Sequence, residues 1–466
     1  MIKPVRVRIA PSPTGEDLHI GNVYTALLNY VYAKKNNGIF IVRIEDTDRT
    51  RYVQGSEARI LNSLKWFDLD YDEGPDTEGK YGPYRQSERL NFYKKYAEEL
   101  VGKGKAYYCF CTSARLEEMR KGQIARKEPT LYDGFCKNIN SKEAKKRSLN
   151  EKYVIRLNVP DSGTTQFEDV IRGKVTFENK LIDDQVLLKS DGYPTYHLAV
   201  VVDDYLMGIS HVIRAEDWIS STPKHILLYH YLGWELPVFC HVPLIRNPDH
   251  SKLSKRKNPV WASWYKDQGF LPEAILNYLA QMGWSYPGDI EIYTIEEMIK
   301  KFDIAHLKAV GPSFDLKKLE WVNGEYIRKT ENPKLKDQIS NYLDHNYPEE
   351  IIGKTIPLVK ERIKKFSDYL PLSSFFFEKP TAYEIDIKAW KDIFAKTSEK
   401  LKSVKKWDAV SIGEAMQQVV NETGKKSSDY FMAVRIAVTG RKVSPPLNES
   451  MEILGKEEST ERLKLV

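Results

Sequence analysis

Cysteine is scarce in this chain: four residues in 466, three of them crowded at positions 109, 111 and 136. That is too few for a secreted disulfide scaffold, so a reducing, cytoplasmic setting is the expectation. Long apolar runs are missing as well. No stretch approaches the roughly 18 uncharged apolar residues of a membrane-spanning helix, and no membrane partner is expected. The opening MIKPVRVRIAPSPTG alternates charge with short apolar residues and soon reaches proline, which leaves no apolar centre for a secretory leader. Strong charge of one sign is absent. With 71 basic and 65 acidic side chains the net charge is +6, which permits nucleic acid as a partner without demanding it. Internal repeats and long flexible linkers are not found. What remains is 41% hydrophobic residues with 28 tyrosines and 9 tryptophans, enough for real cores, in a length that calls for two to four domains. A disordered chain is excluded.

Val5, Val7 and Ile9 alternate with Arg6 and Arg8, the period of a strand. The loop Pro11-Ser12-Pro13-Thr14-Gly15 follows, and a helix is expected from about Asn22, with Val23, Ala26, Leu27, Tyr30 and Val31 on one face and a stop at Asn37-Gly38. Residues 39–44 read as a second, buried strand. Strand, glycine loop, helix, strand is a βαβ unit, and open parallel sheets bind ligands at the carboxyl ends of such strands. Residues 109–195, basic and broken into short strands, read as an insertion. Buried strands are expected again at Val200–Val202 and Val212-Ile213. Beyond residue 326 the pattern turns helical. Val359, Ile363, Phe366 and Leu370 form one stripe, and Ile412, Ala415, Met416, Val419 and Val420 form another, opened by a Ser411-x-x-Glu414 box and closed by Gly424.

Two short elements carry chemistry. His19-Ile20-Gly21-Asn22 stands where the first loop enters the first helix, whose N–H groups and dipole favour phosphate, with His19 as a further donor. Lys252-Leu253-Ser254-Lys255-Arg256 lies in a polar loop after the apolar run Val238 to Ile245. Two lysines flanking a serine suit the charge of a phosphate in transition. Either element alone is a weak signal, since capping loops and solvated lysine clusters are common.

Together they resemble the two ATP-binding motifs of class I aminoacyl-tRNA synthetases. RIAPSPTG (8–15), FIVRIEDTD (40–48), GPYRQSERL (82–90), DGYPTYHLA (191–199), HVIRAEDW (211–218), GFLPEAILNYL (269–279) and FDLKKLEWVNGEYI (314–327) are similar to the bacterial-type glutamyl-tRNA synthetase family. Asn22 replaces the second motif histidine, and the loop between Gly15 and His19 is one residue longer than the commonest family form. The resemblance implies a multidomain α/β plus α fold. A Rossmann-type parallel-sheet catalytic domain (first half 1–108, second half with a stem-contact region 196–325) would carry an inserted acceptor-stem domain (109–195), followed by an all-helical anticodon-binding region (326–466).

It also implies a glutamate–tRNA ligase that activates L-glutamate with ATP and Mg2+ and charges tRNA-Glu, working as a monomer. Neither step needs a protein nucleophile, which agrees with the lack of any serine–histidine or cysteine–histidine arrangement. By the resemblance, His19, Lys252 and Lys255 are catalytic. Gly21, Trp218, Ile245 and Ser254 join them around ATP. Arg8, Ser12, Glu45, Tyr196 and Arg214 hold glutamate, the arginines because a planar fork pairs with carboxylate. Arg362 matches an arginine that reads the third anticodon base in discriminating relatives. His197, Cys240 and His241 read as core residues.

Cys109, Cys111 and Cys136 offer three thiolates for a tetrahedral zinc. The histidine that completes this site in many relatives is replaced by Asn138, and the remaining candidate is Tyr132, matching a tyrosine ligand of a truncated paralogue. Because a tyrosine must lose a proton of pKa near 10 to bind, the reading leans against zinc. Other readings stay open: a glutaminyl-tRNA synthetase, whose all-β anticodon domain the helical stripes oppose; the truncated paralogue, which lacks an anticodon module; a small-metabolite nucleotidyltransferase; and a non-catalytic tRNA-binding relative.

Overall fold

The computed structural model describes residues 4–77, 79–249, 251, 253, 259–311 and 313–464. The chain forms two compact units, one of residues 1–264 and 276–315, the other of residues 265–275 and 316–466. The last boundary expected from sequence, 325/326, falls inside the helix Leu316–Lys329.

In the first unit, β1 (Arg6–Ile9) pairs in parallel with β2 (Ile39–Val42), Arg6 opposite Ile39 and Ile9 opposite Val42. The connecting helix, Ile20–Lys35, begins two residues before the sequence suggests and is buried over most of its circumference, not on one face. Val23, Ala26, Leu27 and Val31 are all buried, while Tyr30 is only half-buried. The turn after this helix is as expected: Asn37 takes a positive φ of 48°, and a Cβ on Gly38 would collide with the Val5 carbonyl oxygen.

The segment read as an insertion has two allegiances. β3 (Ala106–Cys109), β4 (Val154–Leu157) and β7 (Val186–Leu188) form an antiparallel sheet in the order β3-β4-β7. β5 (Thr164–Asp169) and β6 (Gly173–Glu178) form a hairpin instead joined to the parallel pair β8 (His211–Ala215) and β9 (Val238–Val242), in the order β6-β5-β9-β8. A hydrogen bond of 2.9 Å from Ser210 N to Arg6 O brings β1 alongside β8. Ile155, Leu157 and Leu187 of the antiparallel sheet share one core with Leu198, Val201, Leu228 and Tyr93.

Val200–Val202 is not a strand. These valines lie in the helix Tyr196–Leu206, where every residue from Leu198 to Asp204 is buried. Continuous burial erases the helical period, and packing overrides the β preference of branched side chains.

The second unit is helical among its described residues. Ile412, Ala415, Met416, Val419 and Val420 are buried on the helix Ala409–Thr423. Its cap is Asp408, whose side chain accepts from Ser411 N at 2.8 Å, so Ser411 is already inside the helix. Gly424 ends it with a left-handed φ of 63°. The other stripe is not one helix. The helix Glu349–Val359 carries Pro357 and stops at Val359. Asp368 then captures Lys364 N and Lys365 N at 2.9 and 3.2 Å, which starts a separate turn. Val359, Ile363 and Phe366 are nevertheless each buried, while Leu370, the last of the stripe, is only half-buried.

Candidate functional site

A cleft of about 830 Å3 opens beyond the carboxyl ends of β1 and β2 and beside that of β8. Its wall gathers Arg8, Ser12, Glu45, Tyr196, Arg214 and Trp218. They arrive from four separated segments, and the loops are tied together: Glu45 N donates to Pro11 O at 3.0 Å.

Beneath the wall runs a buried chain of alternating charge. Arg8 donates through Nε and Nη2 to the two oxygens of Asp204 at 2.9 and 3.1 Å. Arg43 donates to the same Asp204 at 2.8 Å and to Glu45 at 2.9 Å. None of the four is more than 7% exposed, and Arg43 is completely buried. Burial would raise the Asp204 pKa, but the two guanidiniums outweigh it and hold it below the ordinary carboxylate range. For Glu45 burial wins over Arg43 and Arg8, and its pKa is raised. The neighbouring Asp203 accepts from Arg89 Nε at 2.7 Å, Tyr93 Oη at 2.8 Å and Gln86 Nε2 at 2.9 Å.

Arg214 is held quite differently. Nε donates to His241 Nε2 at 3.1 Å, and His241 Nδ1 donates to Asp169 at 2.7 Å. Nη1 and Nη2 share His225 Nδ1 at 3.3 and 3.2 Å. Thr222 Oγ1 accepts from Nη2 at 2.8 Å and Tyr196 Oη from Nη1 at 3.2 Å. His225 Nε2 faces His197 Nδ1 at 3.2 Å. Burial, with Arg214 adding to it, drives the His225 pKa well down. Burial also lowers His241 despite Asp169, and His197 falls to about 3 for the same first reason. Trp218 stacks on Tyr196, ring centroids 4.1 Å apart.

His19 caps the first helix: Nδ1 accepts from Gly21 N at 3.0 Å, which leaves the ring proton on Nε2. The helix end is less open than the sequence suggests. Ile20 N donates to Val260 O at 2.7 Å, and Asn22 N and Val23 N donate to His19 O at 2.7 and 3.1 Å. Gly21 fits closely against the cap, since a Cβ there would lie 3.1 Å from His19 Nδ1. Asn22, not His19, lines the cleft. The Ile245 side chain is 4% exposed and sits in the core. Lys252, Ser254 and Lys255 lie outside the described residues.

Away from the cleft, the Sγ atoms of Cys109, Cys111 and Cys136 lie within 4.8 Å of one another. Tyr132 Oη stands 3.4 Å from Cys109 Sγ and 3.2 Å from Cys111 Sγ, and Cys111 Sγ is 3.6 Å from Cys136 Sγ. Tetrahedral zinc with bonds of about 2.3 Å to sulfur and about 2.0 Å to oxygen has edges of about 3.5–3.8 Å, so the Tyr132–Cys109, Tyr132–Cys111 and Cys111–Cys136 separations come close to those of such a site. In the second unit Arg362 is exposed and lies in the turn after Val359, its Nη1 on Ser444 O at 2.9 Å. Arg435 Nη1 reaches the same carbonyl at 3.3 Å.

Sequence reasoning missed Arg43, Asp204, Asp169, Thr222 and His225. One signal was available: Asp203-Asp204 ends an apolar run, and two buried carboxylates must find cations.

Residues 4–321 match the family described as tRNA synthetases class I (E and Q), catalytic domain, and residues 321–466 match an anticodon binding domain. The chain is 46% identical over 480 residues to the glutamate–tRNA ligase of Acidothermus cellulolyticus, covering 99% of this chain and 95% of that one. To the glutamate–tRNA ligase of Stutzerimonas stutzeri it is 45% identical over 469 residues, covering 99% and 94%. Among solved structures, a glutamate tRNA ligase from Elizabethkingia meningosepticum in complex with its amino acid superposes with a TM-score of 0.89 at 36% identity, over 99% of both chains.

Proposed function

Because the chain belongs to the glutamate–tRNA ligases of the class I tRNA synthetases, we infer that it activates L-glutamate with ATP and passes the glutamyl group to the 3′ end of tRNA-Glu. The observation that carries this reading is the convergence of Arg8, Ser12, Glu45, Tyr196 and Arg214 on one cleft. Arg214 takes the substrate's side-chain carboxylate, Glu45 its ammonium group, and Arg8, Ser12 and Tyr196 complete the pocket. Trp218 offers a flat wall to the adenine ring, and His19, which does not line the cleft, is assigned to a phosphate oxygen on the sequence motif alone.

The α-carboxylate of glutamate then attacks the α-phosphorus, and the bond to pyrophosphate breaks. The terminal 2′-hydroxyl of tRNA next attacks the glutamyl carbonyl, and AMP leaves. Positioning and charge stabilisation carry both steps. Lys252 and Lys255 are assigned the developing phosphate charge on the sequence motif alone. Mg2+, brought with ATP, neutralises phosphate charge when bound.

Among the described residues no helix is long and apolar enough to cross a membrane. With tRNA as partner, we place the protein in the cytoplasm, acting as a monomer. The test is charging of purified tRNA-Glu with labelled glutamate against glutamine, together with ATP–pyrophosphate exchange, which should require tRNA. Equal charging by glutamine would count against the reading.

Zinc is favoured more by the convergence of Cys109, Cys111, Cys136 and Tyr132 than by the sequence, where Tyr132 is the one candidate for a fourth ligand and the reading leans against the ion. Cys109, Cys111, Cys136 and Tyr132 would hold it, and its chemistry there is structural. Elemental analysis should give about one zinc per chain, lost in Cys111→Ser. A metal-free protein prepared without chelator would leave three thiols and a phenol hydrogen-bonded to one another.

A further inference from the structure

We propose that Asp169, His241, His225 and His197 are positioning residues that hold the Arg214 guanidinium through uncharged acceptors, so that its whole positive charge is kept for a carboxylate on the substrate. The inference rests on the assignment of Arg214 to the glutamate side chain and deepens it.

Arginines in a protein interior are usually held by carboxylates, as Arg8 is by Asp204 at 2.9 Å. A carboxylate partner orients the fork but cancels the charge that a second anion would feel. Around Arg214 the four hydrogen-bonding side chains, His241, His225, Thr222 and Tyr196, present neutral acceptors. Among the described residues no carboxylate lies within 4.0 Å of this guanidinium. The nearest acid in the chain of contacts, Asp169, is one imidazole away. It accepts from His241 N at 3.0 Å and from Nδ1 at 2.7 Å, so the ring must turn a bare Nε2 toward Arg214.

The second imidazole is fixed in the opposite tautomer. His225 Nδ1 accepts from Arg214, its proton therefore sits on Nε2, and His197 Nδ1 at 3.2 Å receives it. The low basicity of His225 and His241 keeps both rings neutral beside the cation. Removing either tautomer-setting partner would let the ring present an N–H to another N–H.

The decisive comparison is between isosteric variants that differ only in charge. His225→Asn keeps a neutral acceptor facing Arg214, whereas His225→Asp supplies an anion of the same shape. Michaelis constants for glutamate and glutamine, measured by tRNA-dependent ATP–pyrophosphate exchange, should separate the two. The Asp variant should raise the glutamate KM about tenfold or more beyond the Asn variant, with the glutamine KM unchanged or lowered and kcat moved less. Equal glutamate constants in the two variants would overturn the proposal.

Arg214→Leu is the control for the underlying assignment. If that variant still discriminates glutamate from glutamine, Arg214 is not the reader and both inferences fall. If discrimination collapses but the Asp and Asn variants behave alike, only the role of the neutral holders falls. Should the His225 variants lack a cooperative thermal transition, His241→Gln against His241→Glu decides by the same criterion. In the unmodified protein, NMR of the ring nitrogens at neutral pH should show His241 protonated on Nδ1 and His225 on Nε2. An imidazolium at either position would refute the arrangement.

Discussion

Asp204→Asn is the sharpest probe of the charges under the cleft. Arg8, Arg43, Asp204 and Glu45 cancel in pairs, and all four are buried. The amide has the same shape, so the substitution changes charge and hydrogen bonding with little change of packing. Its oxygen would stay where Oδ1 now accepts from Arg8 Nε and Arg43 Nη1 at 2.9 and 2.8 Å. Its NH2 group would then face Arg8 Nη2, which now donates to Oδ2 at 3.1 Å. One charge-assisted bond is lost, and one guanidinium is left without its counter-ion in a site almost closed to water. Removing one partner of a buried pair costs about 3–5 kcal/mol. At about 2–4 °C per kcal/mol for a large domain, the thermal midpoint should fall by about 6–20 °C. Calorimetry at neutral pH reads this directly. Because Arg8 also faces the cleft, the glutamate KM should rise in the same variant while the ATP KM changes less. A loss smaller than about 2 °C would refute the claim that the pair is desolvated and mutually dependent.

Stability should also fall in acid. His197, His225 and His241 have folded pKa values below the ordinary histidine value, so the unfolded chain takes up protons first. Their penalty is absent above about pH 6.5 and grows as pH falls below it, for His197 down to about 3; urea midpoints that do not change between about pH 7 and about pH 5 would contradict this. Lys255→Ala should slow adenylate formation by about a hundredfold to a thousandfold and weaken ATP binding far less, and an unchanged single-turnover rate would remove Lys255 from that role. Arg362→Gln should shift the ratio of charging between tRNA-Glu and tRNA-Gln. Its anchor on Ser444 O suggests that the orientation is built in, and an unchanged ratio would return Arg362 to the exposed surface.

Legibility followed the range of the interactions. The first βαβ unit could be read because its signals are local: alternation in β1, a loop of prolines and glycine, a stop at Asn37-Gly38. The stripe from Ile412 to Val420 was equally plain, although its cap was misplaced, since Asp408 lies upstream of the Ser411-x-x-Glu414 pattern and takes Ser411 N for itself. Val200–Val202 failed for the opposite reason. Burial on every side leaves no period to read, and only the neighbouring Asp203-Asp204 hints at something other than a strand. Residues 164–178, which the sequence places within the insertion, also pair with the parallel strands, and a hairpin gives no sign of which sheet its edge will join. The β5–β9 contact, Asp169 opposite Phe239, is set by tertiary packing alone.

The cleft shows the same division, and it bears on specificity. The wall residues were accessible through motifs, but their holders were not, because Arg8 meets Asp204 across 196 positions and His241 meets Asp169 across 72. Only with the holders in place can the charge of the site be counted. Arg8 and Arg43 offset Asp204 and Glu45, and Arg89 offsets Asp203. At the mouth, Arg51 pairs with Asp48 and Lys189 with Asp191. With its histidines neutral, Arg214 touches no carboxylate among the described residues, and the nearest acid, Asp169, stands on the far side of the His241 ring. Glutamate, with two carboxylates and one ammonium, carries one negative charge, whereas glutamine carries none. If Arg214 reads the side-chain carboxylate as proposed, a bound glutamine would leave it buried without a direct counter-ion and would set an amide NH2 against guanidinium N–H groups, which disfavours the amide. On the proposed assignment of Arg214 to the substrate's side-chain carboxylate, selection of the acid over the amide follows from how the two arginines are held, more than from the presence of arginine at either position.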